Sequence, residues 1–84
     1  ARTRSREATH VPEVDLHGLR QHIGEQRVAN FMHEQIANGA CTVKIIHGNG
    51  QGVMREVAYD WIRKHAHRVT QHEDVGPAVI VYLK

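Results

Sequence analysis

The ten residues from Val43 to Gly52 constrain this chain more than any others. An apolar run, Val43 to Ile46, ends in His47, and Gly48, Gly50 and Gly52 follow at alternate positions. Val53, Val57 and Trp61 then recur every four residues. This is a strand, a glycine loop and a helix N-terminus in direct succession. Glycine lets a backbone approach a ligand closely, and the first helical N–H groups have no partner within the helix. Such a loop either receives an anion such as phosphate or is a plain strand-to-helix turn. It lacks the Lys and Ser/Thr of a P-loop and the GxGxxG spacing of a dinucleotide fold.

The remaining elements follow from local pattern. Val11 to Leu16 reads as a first strand with Pro12 near its start, where an edge strand tolerates it. Asp15 and His17 are two residues apart, so on an extended chain they share a face, with Leu16 opposite. Gly18 ends the strand. A helix is predicted from Gln21 to Asn38, with Val28, Phe31, Met32 and Ile36 as its apolar stripe and Asn38-Gly39 as its stop. Cys41 to Ile46 is a second strand, with Cys41 expected as a small core residue. A second helix covers 52 to about 65, with Met54, Ala58 and Ile62 as a second apolar row and Trp61 as a packing anchor. Arg68 to Glu73 reads as a polar edge strand, Asp74 to Pro77 as a turn, and Ala78 to Leu83 as a buried strand.

The order is βαβαββ. Right-handed crossovers place both helices on one face. The short turn makes the last two strands antiparallel. The apolar fourth strand belongs inside and the polar third at an edge. The expected fold is a two-layer α/β sandwich with a four-stranded mixed sheet of order 1-2-4-3 and one open sheet face. Strands 1 and 2 are then parallel neighbours, so Asp15-Leu16-His17-Gly18 and His47-Gly48-Asn49-Gly50 meet at one carboxyl edge, where open α/β sheets hold ligands.

With 84 residues the chain is one domain, from 11 to 84, preceded by a basic arm over 1–10 that carries Arg2, Arg4 and Arg6. A single cysteine allows no internal disulfide and fits a reducing, cytoplasmic setting. No stretch is apolar for the ~20 residues of a membrane span. No leader is visible and the first residue is not Met, as expected of a domain cut from a longer protein. A formal charge of +2 permits a nucleic-acid partner, and eight histidines make the charge sensitive to pH between about 5 and 8. His65-Ala66-His67 with His72 could take zinc adventitiously, but no Cys/His spacing of a structural zinc site is present.

Asp15-Leu16-His17-Gly18-Leu19 and His47-Gly48-Asn49-Gly50-Gln51-Gly52 together resemble the paired DLHGL and HGxGxG motifs of the small MutS-related (Smr) domain family. The resemblance covers Val11 to Lys84 and implies a fold similar to the C-terminal domain of translation initiation factor three. It implies nucleic-acid binding with endonuclease activity, on DNA or on messenger RNA at stalled ribosomes. Asp15 and His17 match the family's catalytic pair, and His47 to Gly50 its second site motif. Many members carry Thr at the position of Arg20 and a longer connection between the last two strands than Glu73 to Pro77. The first helix is therefore expected to start without a side-chain cap, and the site to be more open.

Phosphodiester cleavage needs a base, an acid and positive charge for the phosphate. The candidates are Asp15, His17 and His47 for catalysis. Gly18, Arg20, Lys44, Gly48, Asn49, Gly50, Gly52 and Arg55 are the candidates for phosphate binding. RNA cleavage through the 2′-hydroxyl needs no metal, whereas DNA nicking is expected to use Mg or Mn through Asp15. A monomeric domain is expected in either case; the alternative is a nucleic-acid-binding module without chemistry, part of a larger MutS-like or ribosome-associated protein, in which Asp15 caps a turn and His17 is structural.

Overall fold

The computed structural model describes residues 11–49 and 52–84. The basic arm and the expected phosphate contact Gly50 lie outside the described residues. Strand β1 is Glu13–Asp15, helix α1 Gln21–Ala37, strand β2 Thr42–Ile46 and helix α2 Val53–Lys64. A 3₁₀ turn at Ala66–Arg68 precedes strand β3, Val69–Asp74, and strand β4 is Ala78–Leu83. The sheet order is β1-β2-β4-β3, with β1 and β2 parallel and β4 antiparallel to both its neighbours. This is the architecture that the pattern of polar and apolar strands predicts.

One face of the sheet makes the core. Val43 and Ile45 of β2 and Val79 and Val81 of β4 are fully buried, and they pack with Val28 and Met32 of α1 and Val57 and Ala58 of α2. The alternate residues Lys44, Ile46, Ile80 and Tyr82 are only half-buried on the other face. Burying a Val, Leu or Ile side chain stabilises by about 1.5–3 kcal/mol, so this one-sided alternation fixes the register. Leu16, just past β1, is also fully buried. It anchors the backbone between Asp15 and His17, which both face outward.

Several details differ from the sequence reading. The ladder of β1 is shorter than Val11 to Leu16, although Lys44 still donates to the Pro12 carbonyl and Leu16 to the Ile46 carbonyl. Cys41 is exposed and precedes β2, so it is no core residue. Val53 begins the α2 repeat yet is 48% exposed, whereas Met54 beside it is buried. Trp61 is buried against the core as expected, and His65 stacks on it at 4.1 Å between centroids. The stripe of α1 includes buried Gly24, which the sequence did not single out. A Cβ there would collide with the Met54 sulfur, so a larger residue would require that side chain to move.

Candidate nucleic-acid site

The carboxyl edge of β1 and β2 opens into a cleft of about 540 Å³. His17, Gly18, His47, Gly48, Asn49 and Gly52 line it, with Leu19, Ile46, Val53 and Met54 as an apolar floor. Six of the expected site residues thus meet in one place, although thirty positions separate the two motifs.

Parallel register explains how they meet. Asp15 sits beside Ile46, and the Leu16 N–H donates to the Ile46 carbonyl at 2.7 Å. Continuing that register puts His17 beside Gly48. A Cβ on Gly48 would lie 2.9 Å from the His17 Cβ, and Gly48 also has φ +86°. Glycine is required here twice over, by backbone conformation and by the histidine packed against it. The loop is held from its other side by the β3–β4 turn. The N–H groups of His47 and Gly48 both donate to the Pro77 carbonyl at 2.8 Å. Sequence reasoning missed this role of Pro77, because a backbone carbonyl leaves no motif.

Asp15 fixes the His17 ring. One oxygen, Oδ1, accepts from the His17 backbone N–H at 3.0 Å and from Nδ1 at 2.6 Å. The hydrogen bond from the His17 side chain, followed by that from its backbone, holds the Asp15 carboxyl below its ordinary range. A carboxylate at Nδ1 selects the tautomer with the proton there and leaves Nε2 as a free acceptor. The side chains of His17 and Asp15 are 68% and 52% exposed. Pairs this exposed add little to stability, so the fold does not need this arrangement for its own sake.

His47 is placed differently from expectation. It is only 5% exposed. Its Nδ1 lies 3.0 Å from the Gly48 carbonyl, and its Nε2 is buried with no hydrogen-bond partner among the described residues. Nε2 is thus shut off from the open cleft, and Nδ1 sits against the loop backbone. The signal was present in the sequence. Val43, Ile45 and His47 are two apart, and Val43 and Ile45 point into the core, so His47 does too.

The expected cationic residues do not converge on the cleft. Lys44 lies on the open sheet face beside Glu13 and Ile80 in register. Arg55 is bound to Asp74 at 3.0 Å and lies 4.5 Å above the Tyr59 ring. Arg20 is exposed at the N-cap of α1 and makes no side-chain cap bond, as the departure from Thr leads one to expect. Gly52 occupies the N-cap of α2 at φ +90°, also without a side-chain cap. His65 bonds to the Trp61 carbonyl and His72 packs on Tyr59. Among the described residues no three His, Cys, Asp or Glu side chains come together as a metal site requires.

A two-layer βαβαββ domain with a carboxylate-oriented histidine beside a glycine loop is the class that fold and site define. The Smr domain family model matches residues 14–84, and the chain belongs to that family. Endonuclease MutS2 of Halalkalibacterium halodurans is 34% identical over 56 residues, covering 67% of this chain and 7% of the relative. Endonuclease MutS2 of Symbiobacterium thermophilum is 38% identical over 61 residues, covering 73% of this chain and 8% of the relative. The chain therefore spans less than a tenth of the length of these relatives. The crystal structure of the Smr domain of Thermus thermophilus MutS2 superposes with a TM-score of 0.78 at 29% identity, over 88% of this chain and 99% of that one. YdaL, a stand-alone small MutS-related protein from Escherichia coli, shares the fold with a TM-score of 0.72 at 19% identity, over 93% and 70% of the two chains.

Proposed function

We propose that this domain binds nucleic acid and cleaves its phosphodiester backbone, with His17 as general base and Asp15 as the residue that orients it. The observation that carries this reading is the Asp15–His17 pair at the rim of the cleft, 2.6 Å between Oδ1 and Nδ1. On RNA, Nε2 of His17 takes the proton of the 2′-hydroxyl as its oxygen attacks the adjacent phosphorus. The 5′-oxygen leaves and takes a proton from water. Asp15 stabilises the imidazolium that forms, and its lowered pKa keeps it ionised while it does so. The backbone of Gly48 and Asn49 lies beside His17, where the phosphate would sit. His47 keeps the loop in place and takes no proton.

A divalent ion at Asp15 would find one carboxylate whose Oδ1 already serves His17. Among the described residues no group of three His, Cys, Asp or Glu side chains stands ready to complete its coordination. The family membership and the endonuclease names of the relatives support the nuclease reading. A cytoplasmic setting, with messenger RNA on ribosomes or branched DNA as substrate, belongs to the same proposal.

The test is incubation with labelled single-stranded RNA and with branched DNA, each in EDTA and in magnesium or manganese. RNA cleavage that survives EDTA and leaves 2′,3′-cyclic phosphate and 5′-hydroxyl ends is expected. Products with 5′-phosphates that form only with metal would contradict the proposed step. Binding to both substrates without cleavage would make the domain a docking module.

A further inference from the structure

We infer that the nucleic-acid strand leaves the cleft across the outer edge of β1, held by Arg20 and Arg27 on the flank of α1, and not across α2. The inference rests on the proposed nucleic-acid function and gives the strand a path.

The two sides of α1 carry opposite charge. Gln21 and Glu25 face α2 and share a groove with Glu56, Asp60 and Arg63. That groove has three carboxylates against one guanidinium, and Arg63 already lies 3.3 Å from Asp60 and 3.8 Å from Glu56. Lys64 is bound to the other oxygen of Asp60 at 3.0 Å. Arg55, nearest the start of α2, is bound to Asp74. The cations of α2 are thus neutralised, and a phosphate backbone laid over it would meet unbalanced acid.

The other flank is different. Carried back one residue from the helix to its N-cap, 100° per residue puts Arg20 within about 20° of Arg27 on the helix wheel, two turns away. On the wheel both lie on the far side of Gly24 from Glu25, and so away from the groove that α1 shares with α2. Both are exposed, and neither has an ion-pair partner among the described residues. The charge of Arg27 also adds, as the smallest of the causes, to the lowering of the Asp15 pKa, as a cation on this flank should. Two turns of helix span ~11 Å, close to the distance between phosphates two nucleotides apart on an extended strand. Arginine donates in a planar fork that fits a phosphate.

Fluorescence anisotropy of a labelled single-stranded oligonucleotide, titrated over a range of salt, tests this with Arg20→Gln, Arg27→Gln and the double variant. Each lost phosphate contact lowers the salt slope by about 0.7 on a single strand, which is about fourfold in affinity near 0.15 M salt. The double variant should therefore bind more than tenfold more weakly and with a slope shallower by about 1.4. Lys64→Gln, whose cation is bound to Asp60, should bind like the parent. If the unaltered chain binds no oligonucleotide, the proposed function fails and takes this inference with it. If the parent binds with a steep slope and the arginine variants match it in slope and affinity, the path over α1 is wrong while the function stands. A larger loss in Lys64→Gln than in the double variant would move the strand to α2. Circular dichroism of each variant separates loss of helix from loss of contact, since exposed Arg→Gln changes keep helix propensity.

Discussion

The two motifs end in histidines that the fold treats in opposite ways. His17 stands two-thirds exposed, with Nδ1 fixed by Asp15 and Nε2 free. His47, just past the neighbouring strand, is 5% exposed, with Nε2 buried and Nδ1 beside the Gly48 carbonyl. Parity decides between them. Along β1 and the residue after it the buried side chains are Val14 and Leu16, so His17 falls outward. In β2 they are Val43 and Ile45, so His47 falls inward. Because Asp15 pairs with Ile46, the position beside His17 is Gly48 and not His47. One motif therefore supplies the reactive side chain, and the other supplies a backbone that makes room for it.

The largest effect that separates the two histidines is expected in cleavage. His17→Ala should lose about 10²–10⁴ in rate, the usual contribution of a general base, with binding nearly intact. His47→Phe should stay within about tenfold of the parent, because the ring contributes packing and no proton. Removing a buried imidazole nitrogen without a partner offsets the lost hydrogen bond to Gly48, so stability should shift by no more than about 1 kcal/mol. Equal losses from both variants in a single-turnover assay would erase the contrast.

A smaller effect is expected from Gly48→Val. A non-glycine residue held at positive φ costs of order 1–3 kcal/mol, and its Cβ displaces His17 as well. Thermal melting should show that loss, and cleavage should fall more than binding. A variant that loses binding but keeps its cleavage rate per bound substrate would mean that the loop contacts phosphate without positioning His17.

The smallest effect lies in acid. Asp15, Asp60 and Asp74 are all held below the ordinary carboxylate range, by hydrogen bonds first from His17, Lys64 and Arg55 respectively. The unfolded chain takes up protons at these groups before the folded one does. Their contribution to stability is present above about pH 4 and is lost as pH falls below it. Melting temperatures followed downward from pH 5 should show a modest decline that begins near pH 4. A rise in stability over that interval would be the wrong sign.

The sheet order was legible because Ala78 to Leu83 is almost wholly apolar and Val69 to Asp74 is not. A hairpin between them leaves few arrangements once β1 and β2 are joined by a helix. The meeting of His17 and Gly48 at one edge was legible for the same reason. What the sequence did not reveal depends on partners distant in the chain. Arg55 resembles any exposed cation until Asp74, nineteen residues on, takes it up. Gly24 resembles a weak point in α1 until Met54 is packed on it. Cys41 looks apolar, but it falls one residue before the ladder begins, on chain that the core does not cover. The burial of His47 was within reach, had the alternation of Val43 and Ile45 been carried two residues further.

Whether a single exposed imidazole performs the chemistry is tested most directly by the pH dependence of RNA cleavage. Asp15 stays ionised throughout the range in which histidine titrates, so it adds no inflection there. The rate under single-turnover conditions should rise through one limb between about pH 5 and 8 and then level off. A bell-shaped profile, with a second limb that disappears in His47→Phe, would bring the buried histidine into the reaction and contradict the account.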